Sequence, residues 1–470
     1  MKIPFFSILA TLSSAFAAQI NILGINDMHG NIDNLPQLAT FMKAERAADP
    51  DVLLLSAGDN RTGNPYVDNG EQPGVPMIKL MNMLGFDAST LGNHEFDTGR
   101  KGLQMTLDAA NFNFVCANVR AACGPELNLK PYHIFERDGV RIGVLGLVQT
   151  GANGLPDVHP DHGKGLLFSD PYQVVRDYAY LREQCDVLIV LSHIGFEDDV
   201  KLARLFPEAD AIIGGHTHTR VEKGHIENGV LITQTENKVK YITRLSFEVE
   251  DGKVVSKKSE LIPLRDQAKD ADMQKAVDEA KNNPYMRRQL TTIARDIPRR
   301  ESLGCLMADA LRAYAKSDVA IVNFGNVRLE EFPAGPFTVA DCYRLDPFCN
   351  QTVVFKATGR ELVDFLNAIP SSDHHGAPCV SGIHYKAVKP AEELKPMRIT
   401  EVTLPDGTPL NPDGVYSVAT NSYLMSTVTP LPADAGEAHD MDGARAIMLY
   451  MDGKPSVDYT DVSHIEVTIE

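Results

Sequence analysis

The chain has 470 residues, 43% of them hydrophobic and 23% charged, enough to bury more than one core, so two domains are expected and a disordered or low-complexity polymer is excluded. A net charge of −18 at pH 7 argues against a nucleic-acid polymer as partner, because backbone phosphates demand a basic surface. A small phosphorylated molecule stays compatible, since metal ions and a few arginines meet its charge locally.

Residues 1–17 carry one lysine, Lys2, an apolar run from Ile3 to Leu12 and the small-x-small ending Ala15-Phe16-Ala17. This is the build of a secretory signal peptide and predicts an exported protein, periplasmic or extracellular. In an oxidising compartment the sequence-close pairs Cys116 with Cys123 and Cys342 with Cys349 are allowed, though not required, to form disulfides. No later run reaches the roughly 20 apolar residues that a membrane-spanning helix needs.

From residue 18 to 264 short apolar runs alternate with helix-length segments: INILGIND, LPQLATFMKAERAA, DVLLLSAGD, PMIKLMNMLG, then RIGVLGLV, DVLIVLSHIG, AIIGGHTH and VLITQTE. The pattern predicts an α/β domain of two packed sheets flanked by helices, four layers in all. YITRLSFEVEDGKVVSKKSELIPL reads as a hairpin turning at Asp251-Gly252. The polar stretch 265–290 predicts a linker helix, and 291–470 a second, α+β domain. There ESLGCLMADALRAY spaces apolar residues at helical intervals, DVAIVNF is a buried strand, and Thr358 with Glu361 forms a capping box before ELVDFLNAI.

Five apolar strands of the first domain end in metal-type ligands: Asp27 and His29, Asp59, Asn93 with His94 and Asp97, His193, and His216 with His218. Loops at the carboxyl ends of strands in an α/β sheet converge on one crevice, so these residues are expected to meet. A lone Asp there is more often a helix cap and a lone His a buried imidazole; five such ends together argue for metal. Two carboxylates, four imidazoles and one amide oxygen suit zinc, manganese, cobalt or iron better than calcium. Seven donors exceed one structural zinc site, which implies two divalent ions with a bridging carboxylate.

The motifs NDMHG, GD, GNHEFD and GHTH resemble those of the binuclear metallophosphoesterases, and within them the exported 5'-nucleotidase family with its two-domain build. The resemblance implies one ion held by Asp27, His29, Asp59 and His218 and the other by Asp59, Asn93, His193 and His216, zinc or manganese in each, with Asp59 as the bridge. It makes His94 a non-ligand histidine that stabilises the transition state and Asp97 the residue that orients it. A hydroxide held between the ions is expected to attack phosphorus in line, releasing phosphate from nucleoside 5'-monophosphates or related nucleotides.

In that family the second domain binds the substrate. NFGNVR matches the family's Asn-Gly-Gly-Gly-Ile-Arg at Asn323, Gly325 and Arg328, with Phe324 and Asn326 in place of glycines. DPFCN places Phe348 as a base-stacking ring, and Arg299 or Arg300 is expected at the phosphate. The family's glycine-rich aromatic segment near the end is missing, which leaves the second stacking ring unassigned, with Tyr423 a candidate. His374 and His375, without carboxylates or cysteines at ligand spacing, read as an exposed loop. Two alternatives remain: a phosphodiesterase or pyrophosphatase acting on cyclic nucleotides or nucleotide sugars, and a non-catalytic exported binder of phosphorylated ligands.

Overall fold

The computed structural model describes residues 18–69, 71–372, 376–390 and 397–469. The signal-peptide expectation and the pair His374-His375 lie outside the described residues. None of the described helices is long and apolar enough to cross a membrane.

The first sheet carries strands β1 (Ala18–Ile25), β2 (Leu53–Ser56), β3 (Ala88–Ser89) and β4 (Asn113–Phe114), and the second β5 (Tyr132–Arg137), β6 (Val140–Val148), β7 (Val187–His193), β8 (Ala211–Gly214), β9 (His225–Glu227) and β10 (Val230–Thr233). A hairpin of β11 (Tyr241–Glu250) and β12 (Lys253–Pro263) completes the first sheet, giving the orders β12-β11-β1-β2-β3-β4 and β9-β10-β8-β7-β6-β5. Its turn residues Asp251 and Gly252 have φ of 49° and 73°, the left-handed pair that a two-residue hairpin requires.

Side-chain alternation along the strands divides the packing. Ile20, Ile22, Leu53 and Leu55 meet Val144, Ile189, Leu191 and Ile213 between the two sheets. Leu23, Ile25 and Leu54 face the outer helices α1 (Leu35–Ala48) and α2 (Val75–Leu84). Leu188 and Val190 face Leu202 on α3 (Phe196–Leu205). The result is a helix, sheet, sheet, helix sandwich. Within 265–290 a helix α4 spans Ala271–Ala280, and its Met273 and Val277 are buried in the first core; one face is thus docked on α1 and α2 and not left to solvent.

The second domain is built on a sheet of β13 (Val319–Val322), β14 (Gln351–Thr358), β15 (Cys379–Ser381), β16 (Val415–Asn421) and β17 (Glu437–Asp442), ordered β15-β13-β16-β14-β17. Helices α5 (Arg300–Ala315) and α7 (Gly443–Met451) cover one face through Leu303, Leu306, Met307, Ile447 and Met451, and α6 (Gly359–Ser372) the other through Leu362, Phe365 and Leu366. The capping box forms: Glu361 Oε2 accepts the backbone N–H and the hydroxyl of Thr358, both at 2.8 Å. Cys116, Cys123, Cys342 and Cys349 are free thiols, so neither sequence-close pair is bridged.

Candidate metal centre and substrate cleft

Asp27 and His29 follow β1, Asp59 follows β2, Asn93 follows β3, His193 ends β7, and His216 and His218 follow β8. The parallel strands bring these ends to one edge of the sandwich. Donor atoms of Asp27, His29 and His218, of Asp27, Asp59 and His193, and of His29, Asp59 and His94 lie within 4.8 Å of one another. His29 Nε2 is 2.9 Å from His218 Nε2, His193 Nε2 is 3.2 Å from Asp59 Oδ2, His218 Nε2 is 3.3 Å from Asp27 Oδ1, and His216 Nδ1 is 3.0 Å from Asn93 Oδ1.

These donors fit a divalent ion. Two ligands each about 2.1 Å from a shared ion lie roughly 3 to 3.5 Å apart, which is the spacing of these pairs. The far ring nitrogens are occupied: His29 Nδ1 meets the Thr62 carbonyl at 3.0 Å and His193 Nδ1 the Ala57 carbonyl at 2.7 Å. Donation to those carbonyls turns the Nε2 lone pairs inward, the usual outer support of a metal-binding imidazole. His193 Nε2 is buried with no hydrogen-bond partner of good geometry.

Electrostatics agree. Burial alone lowers His193, but Asp59 and then Asp27 outweigh it and push it up to about 10. Burial likewise raises Asp59, yet His193 and His94 hold it well below the usual carboxylate range. Two buried carboxylates therefore demand positive charge on their imidazole side; a proton meets that demand in the protein alone, and a divalent ion displaces it. His216, lowered to about 4 by burial and by His193, is neutral and ready to ligate.

His94 hydrogen-bonds through Nδ1 to Asp97 Oδ2 at 2.8 Å, and the same oxygen accepts the Thr62 hydroxyl at 2.6 Å. Burial lowers the His94 imidazole, but Asp97 and Asp59 more than compensate and raise it above its ordinary value. A second supporting carboxylate, Glu95, carries no ligand signal of its own in the sequence although it sits inside GNHEFD: it accepts the backbone N–H groups of Asp59 at 3.0 Å, Asn60 at 2.9 Å and Gly92 at 2.6 Å.

A cavity of about 420 Å³ opens on this centre and is closed by the second domain. Asn323, Gly325, Arg328, Phe348 and Tyr423 line it. The Phe348 ring lies 5.8 Å from the His94 ring, tilted by 30°, and the Arg328 guanidinium sits 5.5 Å over Phe348. Arg299 and Arg300 are not among the residues that line the cavity. Arg299 is exposed at the N-cap of α5. Arg300 stacks on Phe324 at 4.4 Å, donates to the Phe324 carbonyl at 3.0 Å and pairs with Glu330 at 3.2 Å. One wall has no sequence signal at all: Asp157, His159 and His162 come from the loop after β6, where no ligand spacing or strand end marks them.

The calcineurin-like phosphoesterase family model matches residues 20–220, and the 5'-nucleotidase C-terminal domain model residues 280–431. The chain is 28% identical to a 5'-nucleotidase of Vibrio cholerae over 86% of its own length and 84% of that protein's. It is also 28% identical, over 86% of its length, to the trifunctional nucleotide phosphoesterase protein YfkN of Bacillus subtilis, of which it spans about a third, 32%. The solved structure of a 5'-nucleotidase precursor from Thermus thermophilus shares the fold, with a TM-score of 0.81 over 96% of this chain and 99% of the other at 24% identity. The chain therefore joins a calcineurin-like phosphoesterase domain, carrying a histidine and carboxylate cluster at its strand ends, to a 5'-nucleotidase C-terminal domain, and is similar over most of its length to 5'-nucleotidases.

Proposed function

We propose that the protein is an exported two-metal phosphohydrolase that releases phosphate from nucleoside 5'-monophosphates or close relatives. The observation that supports this best is the cavity in which the carboxylate and imidazole cluster of the first domain faces Arg328 and Phe348 of the second. Asp27, His29, Asp59 and His218 would hold one ion and Asp59, Asn93, His193 and His216 the other, zinc or manganese by the softness of the donors. When bound, such ions neutralise phosphoryl charge and make a water nucleophilic near neutral pH.

The chain's own residues do the rest. Asp59 stays ionised because His193 and His94 flank it. Asp97 and Thr62 hold the His94 ring in one orientation, so that its N–H and positive charge are set before phosphoryl charge develops. Arg328 supplies a fixed positive charge at the cavity wall. Phe348 offers a face for the base, and Tyr423, on the same cavity, is the second ring. Residues 1–17 direct export.

A second reading, cleavage of cyclic nucleotides or nucleotide sugars at the same centre, is favoured by the likeness to a trifunctional nucleotide phosphoesterase. A panel of nucleoside monophosphates, cyclic nucleotides, nucleotide sugars and a small phosphate monoester, assayed with and without added divalent metal, separates the two. Fastest turnover is expected on a monophosphate; a rate confined to diesters or diphosphates would replace the first reading by the second.

A further inference from the structure

Two substrate-facing segments of the second domain, NFGNVR and DPFCN, meet at one buried carboxylate. Asp346, 5% exposed, accepts through Oδ1 both the side-chain amide of Asn326 at 3.2 Å and the backbone N–H of Phe348 at 3.4 Å. Its other oxygen lies against Gly443, where a Cβ atom would stand 2.0 Å from Oδ2, so the carboxylate has no room to swing toward α7. Asn326 and Phe348 both line the cavity.

Asn326 occupies a position where the resembling motif has glycine, so its side chain is a feature of this chain. With Nδ2 donating to Asp346, the part of this cavity-lining amide left to meet a ligand is Oδ1, an acceptor. An acceptor fixed beside a stacking ring selects a ligand that carries a hydrogen-bond donor next to its flat base. A ribose hydroxyl and a base N–H are the two sources of such a donor in a nucleoside.

We infer that Asn326 is a specificity-determining residue that reads a hydrogen-bond donor on the nucleoside, and that Asp346 is the positioning residue that fixes Asn326 and Phe348 relative to each other. The inference rests on the nucleotide reading of the cavity.

Steady-state kinetics on Asp346→Ala, Asp346→Asn and Asn326→Gly test it, with a nucleoside 5'-monophosphate, its 2'-deoxy counterpart and glycerol phosphate as substrates and thermal melting followed for each variant. Asp346→Ala should raise KM for the nucleotide by about 10 to 100-fold with kcat within about threefold, the effect expected for one or two displaced binding contacts. The ratio of nucleotide to glycerol phosphate kcat/KM should fall by a similar factor. Asp346→Asn keeps the Oδ1 acceptor and should recover most of the loss. Asn326→Gly should lower the same ratio about 5 to 20-fold. A loss seen with the ribonucleotide and not with the deoxynucleotide assigns the donor to the 2'-hydroxyl; equal losses on both assign it elsewhere on the nucleoside. Equal losses on nucleotide and glycerol phosphate in a folded Asp346→Ala protein, or an Asn326→Gly protein that matches the wild type, would overturn the inference while leaving nucleotide hydrolysis intact. Should Asp346→Ala fail to fold, Asp346→Asn and Asn326→Gly decide alone. A wild-type protein active on glycerol phosphate and inactive on every nucleotide would overturn the proposed function and this inference with it.

Discussion

Asp59 and Asp346 are both buried carboxylates, yet their surroundings move them in opposite directions. Burial pushes each up, but Asp59 is surrounded by imidazoles that hold it ionised, whereas Asp346 has amide donors on one side and Asp442 on the other and is pushed up to about 7. The sign follows from proton linkage. Between roughly pH 4 and 7 the folded chain holds a proton on Asp346 that the unfolded chain releases, so its contribution to stability falls as pH rises through that window. Asp346→Asn removes the titration and should gain stability relative to the wild type on going from pH 5 to pH 8, by up to about 2.7 kcal/mol, the two pH units between 5 and the folded value of about 7 at 1.36 kcal/mol each. Denaturant unfolding at the two pH values checks this, and a difference that does not change with pH would place the Asp346 charge elsewhere. His94 makes a separate prediction at the same scale. His94→Ala should lower kcat by roughly 10² to 10⁴-fold, the usual range for one acid/base or electrostatic group, while metal analysis still finds the divalent ions bound. Metal lost together with the side chain would make His94 a ligand.

Strands and the turns that leave them explain why the metal-type residues are legible from sequence. Each motif follows an apolar strand, and the sheet topology does the gathering. What spacing alone does not convey is the local backbone. Asp27, His29, Asp59, His216 and His218 have φ of 50°, 46°, 50°, 78° and 54°, the left-handed region that costs a non-glycine residue on the order of 1 to 2 kcal/mol. Such strain is held only where the surroundings dictate it. Gly92 is part of those surroundings: with φ of −99° its conformation suits any residue, but a Cβ there would lie 2.1 Å from Asp59 Oδ1 and 2.6 Å from the Asp59 nitrogen. Gly92→Ala should therefore displace Asp59, reduce metal content and cut activity by at least about tenfold without introducing backbone strain. A folded Gly92→Ala protein with full metal and full turnover would show that Asp59 tolerates movement. The loop carrying Asp157, His159 and His162 is illegible for the complementary reason: no periodicity ends there, and its residues reach the cavity only through tertiary packing.

At the scale of the whole molecule, function depends on two cores held across one cleft. Tyr66 packs against both, and Asp33 of the first domain is paired with Lys281 and, at 3.9 Å, with Arg344 of the second. The second domain is the less legible half. Arg328 and Phe348 are singled out by NFGNVR and DPFCN, but the stacking of Arg300 on Phe324 is a tertiary contact that no local pattern encodes. The place of Tyr423 on the cavity wall is set by the short helix Ser422–Thr427 that follows β16 and is capped by Asn421. Because the proposed stacking face and the metals lie on different domains, Phe348→Ala should reduce kcat/KM on a nucleoside monophosphate by roughly 5 to 150-fold, the equivalent of about 1 to 3 kcal/mol of stacking. The loss on a phosphate ester without a base should be much smaller. Equal losses on both in a folded variant would remove Phe348 from the binding site.

The measurement that bears most directly on the whole account is inorganic phosphate release from a nucleoside 5'-monophosphate by chelator-stripped protein, before and after zinc or manganese is added back, with Asp59→Ala alongside. Stripped wild type should be inactive and regain turnover with either ion, and Asp59→Ala should stay inactive and bind less metal at the same ion concentration. Wild-type protein that takes up the ions and binds the nucleotide but releases no phosphate would contradict the account and leave a non-catalytic binder of phosphorylated ligands in its place.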